Sequence, residues 1–158
     1  MRHEARDPSM TVVAPLETDA YAEVLPLVAA YQRFYDVDPD DARNERYFRG
    51  FLAPSDLGML LGARVDRALV GYACLHWRSD TVAARDVVCL HDLYVNEEAR
   101  GRGAGRALLE AAAAIARDRG AEALVWSTAP DNAVAQRLYD RTGATRSTWI
   151  EYDLPVAH

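Results

Sequence analysis

The sequence predicts an α/β fold of the α+β mixed kind: a mixed, mostly antiparallel sheet of about six or seven strands with helices on both faces. Three observations carry that expectation. Residues 89–114 read as a strand, a glycine-rich turn and an alanine-rich helix, and residues 123–127 supply a following strand, which together make a βαβ unit. Gly58–Val65 and residues 68–77 are two apolar runs separated only by Asp66-Arg67, the pattern of a hairpin. Polar breaks divide the rest into the order β-α-α-β-β-β-α-β-α-β. At 158 residues the chain suits one domain over residues 11–158, preceded by a flexible tail over residues 1–10.

Each element has its own warrant. Residues 11–15 form a short first strand, and Thr18 or Asp19 caps the helix that follows. Its apolar face includes Val24, Leu27, Val28 and Tyr31 at helical spacing. The acidic stretch 36–41 interrupts it, with Pro39 suited to the first turn of a second helix and Pro54 ending that helix. Residues 78–85 are a polar loop and residues 86–95 the next strand. The helix over residues 103–119 is rich in alanine and leucine and stops at Gly120. Because a helix lies between them, the strands at 86–95 and 123–127 should run parallel. Asp131-Asn132 caps a helix reaching Thr142 and stopping at Gly143, and residues 146–154 alternate as a last strand.

Composition narrows the function classes. Half of the residues are apolar and 27% are charged, an ordinary balance for a soluble domain. The net charge of −6 argues against nucleic-acid binding through a broad basic surface and favours cationic acceptors. No apolar run approaches 18 residues, so no membrane span is expected. The polar first nine residues lack a signal-peptide core. Cys74 and Cys89 lie in apolar runs and read as reduced thiols of a cytoplasmic protein. The four histidines, His3, His76, His91 and His158, have no metal-ligand spacing, so no metal is expected.

The glycine turn carries the chemistry. Gly101, Gly103 and Gly105 clear side chains from one side, and the helix behind them presents its first-turn N–H groups to an anion. Arg100, Arg102 and Arg106 add positive charge. A phosphate loop ending in Gly-Lys-Ser/Thr fails, since Arg106 and Ala107 follow Gly105. The dinucleotide spacing fails too, because the sixth position counted from Gly101 is Arg106 and from Gly103 is Leu108. A glycine-rich helix start with no ligand is the plainer alternative.

What fits is Arg-x-x-Gly-x-Gly at Arg100, Gly103 and Gly105, which resembles the acyl-CoA signature of the GNAT N-acetyltransferase superfamily. Downstream, Asn132, Ala135, Leu138, Tyr139 and Gly143 resemble that family's Asn-x-x-Ala-x-x-Leu-Tyr-x-x-x-Gly-Phe, with Ala144 replacing the aromatic. The likeness extends from the first strand to Leu154, and its diagnostic motifs fall in residues 86–144. The run from Tyr31 to Pro39 and the strand end Leu93-Tyr94-Val95 suggest the branch of yeast histone and polyamine-type acetyltransferases.

The resemblance implies a GNAT fold with a splayed central strand pair, acetyl-CoA as cosubstrate, and direct transfer to a primary amine. The amides of Gly101, Arg102, Gly103, Ala104, Gly105 and Arg106, with Arg100 nearby, would hold the pyrophosphate. The backbone of Leu93, Tyr94 and Val95 would pair with the pantetheine arm like an added strand, and the Leu93 N–H would polarise the thioester carbonyl. Tyr139 is the implied general acid for the departing thiolate, against the alternative of a core tyrosine. Asn132 either caps its helix or bonds the pantetheine arm, and Ala135 belongs to the same cofactor-side motif. The acceptor ammonium, with a pKa of about 10.4, must lose a proton. His91, Asp92 or a chain of waters can take it, the two side chains being expected on opposite faces of their strand. Tyr31, Phe34, Tyr35, Asp36 and Glu151 are the candidate acceptor site, because aromatic faces and carboxylates favour a cation. A small cationic, polyamine-like amine is the favoured acceptor, and a homodimer is possible. A protein lysine or N-terminal amine, or a non-catalytic acyl-CoA sensor, are the alternatives.

Overall fold

The computed structural model describes residues 10–157, so the expected tail lies, apart from Met10, outside the described residues. One sheet contains β1 (Val12–Pro15), β2 (Gly58–Val65), β3 (Ala68–Asp80), β4 (Arg85–Val95) and β5 (Ala123–Val125), in that order. The first four pair antiparallel and β5 runs parallel to β4, which bears out the mixed sheet. The helices are α1 (Tyr21–Phe34), α2 (Asp41–Phe48), α3 (Ala104–Asp118) and α4 (Ala133–Tyr139), with 3₁₀ turns at Thr18–Ala20, Arg49–Phe51 and Glu97–Ala99. The described residues fall into two compact units, divided between Ser127 and Thr128; the sheet and α1 to α3 belong to the first.

The strand count is five among the described residues, and residues 146–154 form no strand there. Alternation tells which side chains would share a face, but a strand also needs a partner edge, which alternation does not name. Two helix starts also differ from expectation. Neither Thr18 nor Asp19 caps α1: the 3₁₀ turn at Thr18–Ala20 leads into it, with no side-chain cap bond at Ala20. At α2 the cap is Asp40, whose carboxylate accepts the Arg43 N–H at 2.9 Å, so Pro39 precedes the helix instead of opening it.

The hairpin between β2 and β3 turns at Asp66 and Arg67, both at positive φ (48° and 69°), the twist that a two-residue connection demands. β3 and β4 run further than the sequence suggested, which shrinks the expected polar loop to residues 81–84. The α3 helix closes in a Schellman arrangement: Gly120, at φ 73°, donates to Arg117 and Ala121 donates to Ala116.

Neighbouring residues of β3 point to opposite faces and so meet different helices. Tyr72 and Cys74 join a core with Tyr21, Val24 and Val28 of α1 and Phe48 of α2. On the other face a side-chain carbon at Gly71 would lie in contact with Leu108 of α3, 3.4 Å away, and Leu108 is fully buried. Each such fully buried aliphatic contributes about 1.5–3 kcal/mol. The sheet is thus clamped between α1–α2 and α3, and what matters for the site is the stretch of β4 that this clamp leaves for other uses.

Candidate active site

β5 pairs with β4 only along Val87, Val88 and Cys89, ending with Val125 opposite Cys89. β4 runs on to Val95, paired with β3 alone. Among the described residues, the backbone groups of Leu93, Tyr94 and Val95 that face away from β3 therefore have no strand beside them, as the splayed pair requires. The described geometry matches the place where an extended amide-bearing ligand would add as a strand.

At the end of β4 the chain makes one 3₁₀ turn and enters the glycine turn. Gly101 and Gly103 both take left-handed φ values, 77° and 88°, and Gly103 is the N-cap of α3. A side-chain carbon built on either glycine would meet nothing within 4 Å. The two glycines thus serve conformation, and the space over the turn is open. Gly105 differs, since it lies inside α3 and shows no such φ. The amides at the start of this 15-residue helix have no intrahelical acceptor and point into that space, with the positive end of the dipole behind them. These features fit a pyrophosphate.

The three arginines behave differently from one another. Arg100 donates from Nε to the Val95 carbonyl at 3.0 Å and lies 5.7 Å over the Tyr94 ring, pinning the turn to the strand end. Arg106 reaches Glu110 one helical turn on, at 2.8 Å, in an exposed pair of little energetic weight. Arg102 is exposed at the turn itself. A hollow of about 350 Å³ adjoins the turn, lined by Tyr94, Asn96, Glu97 and Glu98.

The side-chain cluster lies further back on β4, on the face that carries α1. Cys74 of β3 is opposite Asp92, whereas the next residue, Leu75, is opposite Leu90; His91 is the extra residue of a β-bulge. The expectation of His91 and Asp92 on opposite faces is therefore wrong, because the bulge breaks the alternation on which it rested. His91 Nδ1 lies 3.1 Å from Asp92 Oδ1. Asp92 Oδ2 accepts from the Tyr72 hydroxyl at 3.2 Å. Burial pushes the Tyr72 hydroxyl far above its usual range, with the Asp92 charge adding to it, so Tyr72 stays protonated and donates. With Asp92 as carboxylate, both of its oxygens only accept, which places a proton on His91 Nδ1 and makes Nε2 the basic nitrogen of the neutral ring. The His91 side chain is 63% exposed and that of Asp92 14%.

Through Tyr72 this pair is connected to a group of aromatic rings. Tyr31, near the end of α1, lies 6.2 Å from Tyr72 and 5.8 Å from Tyr94, and Tyr35 is edge-on to Tyr31 at 5.1 Å. Phe34 contacts Tyr35 but is half exposed, and Asp36 takes a left-handed φ of 58° as the helix ends. Of the expected acceptor residues, Tyr31 is thus joined to the β4 cluster through Tyr72 and Tyr94, Tyr35 through Tyr31, and Phe34 only through Tyr35, while no contact joins Asp36 to it among the described residues. Burial raises the Cys74 and Cys89 thiols above their ordinary pKa, so neither is poised as a thiolate. His76 and Phe51 escaped the sequence reading. The signal was the β3 alternation that puts Tyr72, Cys74 and His76 on one face, but their meeting with His91 depends on the bulge.

In the second unit, Asn132 Oδ1 accepts the Ala135 N–H at 3.2 Å, so the side chain caps α4. Tyr139 is the last residue of that helix and half-buried, and Gly143 takes a φ of 81°. Glu151 lies in the exposed stretch without strand structure.

Residues 24–144 match the model of the Acetyltransferase (GNAT) family. The chain is 30% identical over 141 residues to the uncharacterized N-acetyltransferase YhfO of Bacillus subtilis, covering 89% of this chain and 94% of that one. The crystal structure of a ribosomal-protein-alanine N-acetyltransferase from Brucella melitensis superposes with a TM-score of 0.76 at 26% identity, over 93% of this chain and 99% of that one. An aminoglycoside N-acetyltransferase, AAC(6')-Iy in complex with CoA, superposes at 0.83 over 97% and 99% of the two chains; at 17% identity it shares the fold. Motif spacing, sheet topology and family match agree: the chain belongs to the GNAT acetyltransferase family.

Proposed function

We propose that this N-acetyltransferase moves the acetyl group of acetyl-CoA to a primary amine by direct attack, with a small cationic, polyamine-like amine favoured. The observation that carries the reading is the contact of His91 with Asp92 at the bulge, beside Tyr31 and Tyr72 and on the strand that continues beyond β5. Acetyl-CoA is a substrate here and supplies the activated thioester. The amides from Gly101 to Arg106, with Arg102, hold its pyrophosphate, and the backbone of Leu93 to Val95 lines up its amide-bearing arm. The Leu93 N–H donates to the acyl carbonyl.

The nucleophile must be a free amine. His91 Nε2 takes the ammonium proton as the nitrogen approaches the acyl carbon, and Asp92 stabilises the imidazolium that results. Tyr139 returns a proton to the departing thiolate, a role supported by the Leu138-Tyr139 motif alone. Carboxylate and ring faces together favour a cation over a neutral acceptor, as does the net charge of −6. We place the protein in the cytoplasm; among the described residues no helix is long and apolar enough to cross a membrane. A homodimer belongs to the same proposal, supported by Trp149, Ile150, Tyr152 and Leu154, which are 79–90% exposed.

A protein N-terminal amine is the second reading, favoured by the likeness to the Brucella ribosomal-protein-alanine enzyme. Thiol release from acetyl-CoA over polyamines, amino acids, aminoglycosides and Ala- and Lys-terminated peptides tests both. Turnover strongest on polyamines supports the proposal; turnover confined to peptides installs the second reading. CoA binding with no turnover on any amine overturns both.

A further inference from the structure

His76 is used by nothing described so far, yet its placement is specific. It lies on β3 two residues beyond Cys74, on the face shared by Asp92 and α1. Its ring stacks on that of His91, with centroids 4.8 Å apart and planes 22° from parallel. Phe51, buried at the end of the 3₁₀ turn after α2, lies 4.8 Å from the His76 ring. Gly58 of β2 lies opposite His76, where any side-chain carbon would strike the Leu75 carbonyl, so β2 closes tightly on this part of β3. The three rings form a column with a rigid end at Phe51 and an exposed end at His91.

We propose that His76 is a positioning residue for His91: its ring fixes the orientation of the exposed imidazole, so that Nδ1 stays on Asp92 and Nε2 faces the amine. The inference rests on the reading of His91 as proton acceptor. An exposed side chain on a bulge has several staggered orientations available, and the contact with Asp92 at 3.1 Å fixes the position of Nδ1 but not the plane of the ring. A flat partner at stacking distance removes that freedom at small entropic cost, because His76 is itself held by Phe51.

The partner must also remain neutral when His91 gains its proton. Burial lowers the His76 pKa first, and the neighbouring His91 charge lowers it further against the opposing pull of Asp92. Among the described residues, the other titratable groups on this face include Tyr72 and Cys74 of β3, whose burial keeps them protonated, Cys89 of β4 and Tyr31 of α1. Arg78, whose Nη1 contacts Cys89 Sγ at 3.9 Å, is a further charged group on the same side. A neutral His76 beneath a protonated His91 is then an aromatic face under a cation, an attractive pair.

Two arms test this, and they separate the positioning role from the acceptor role. Nitrogen-detected NMR of the imidazoles in the wild-type protein reads the His91 tautomer without any substrate. The proposal expects neutral His91 in the Nδ1–H form, and His76 taking its proton below the ordinary imidazole range. Tautomer averaging at His91 overturns it. In the second arm, His76→Phe keeps a flat ring and His76→Leu removes it. kcat should fall about tenfold or more in the leucine variant, with the His91 tautomers averaging, and stay within about threefold of wild type in the phenylalanine variant. Equal loss in both variants, or an unchanged His91 spectrum in His76→Leu, overturns the positioning role. If His91→Gln leaves turnover intact while the tautomer arm holds, the acceptor reading has failed and the ring column has not.

Discussion

The glycine turn and the bulge on β4 lie at the two ends of one short stretch of chain, and they are built on opposite principles. The turn is made by backbone: two left-handed glycines, open space above them and the first amides of α3. The site at the bulge is made by side chains drawn from two strands and a helix, with His91 and Asp92 on β4, Tyr72 and His76 on β3, and Tyr31 on α1. A backbone site binds whatever carries phosphate and says little about the acceptor. A side-chain site decides the acceptor and the proton transfer. The contrast explains why the turn was readable from spacing and the cluster at the bulge was not.

That contrast can be broken by substitution. The largest effect is expected at the side-chain end. His91→Gln should lower kcat about 10²- to 10⁴-fold, the usual range for a general base, with CoA affinity by calorimetry unchanged. At the backbone end, Gly103→Val forces a branched side chain into a φ of 88° at the N-cap of α3, a strain of about 1–3 kcal/mol. Measured against acetyl-CoA, its KM should rise roughly tenfold or more as that strain distorts the turn, with kcat on saturating substrate little changed. A smaller change, about threefold in KM, is expected for Arg102→Ala, because the proposal gives most of the pyrophosphate's bonds to backbone amides; steeper salt dependence in the wild type would show the lost charge.

The smallest effect is on stability. The pKa of His76 is lower folded than unfolded, so the unfolded chain binds more protons between the folded-state value and about 6.5. Stability should therefore rise with pH through that window and fall on acidification. Urea unfolding at several pH values reads the slope, which should flatten in His76→Phe.

How much the sequence made legible follows the same division. The mixed sheet, the hairpin at Asp66 and Arg67, the strand Gly58–Val65 and the parallel step from β4 to β5 all rest on local spacing or on topology rules, and all are present. The glycine turn was legible because φ preference belongs to the residue itself. The bulge was not, since inserting His91 between Leu90 and Asp92 is a matter of cross-strand register that no local pattern records. Cap positions missed by a residue or two, at Asp40 for example, because Pro39 and Asp40 are both acceptable helix starters and only side-chain geometry separates them. Residues 146–154 alternate without pairing among the described residues, for want of a partner that alternation cannot specify.

The most direct test of the account is the steady-state kinetics of His91→Gln with acetyl-CoA varied at a saturating amine. The account predicts a fall in kcat of at least about a hundredfold with KM for acetyl-CoA unchanged. A variant that keeps its kcat while KM for acetyl-CoA rises would contradict it, and would move His91 from the acceptor end of the cleft to the cofactor end.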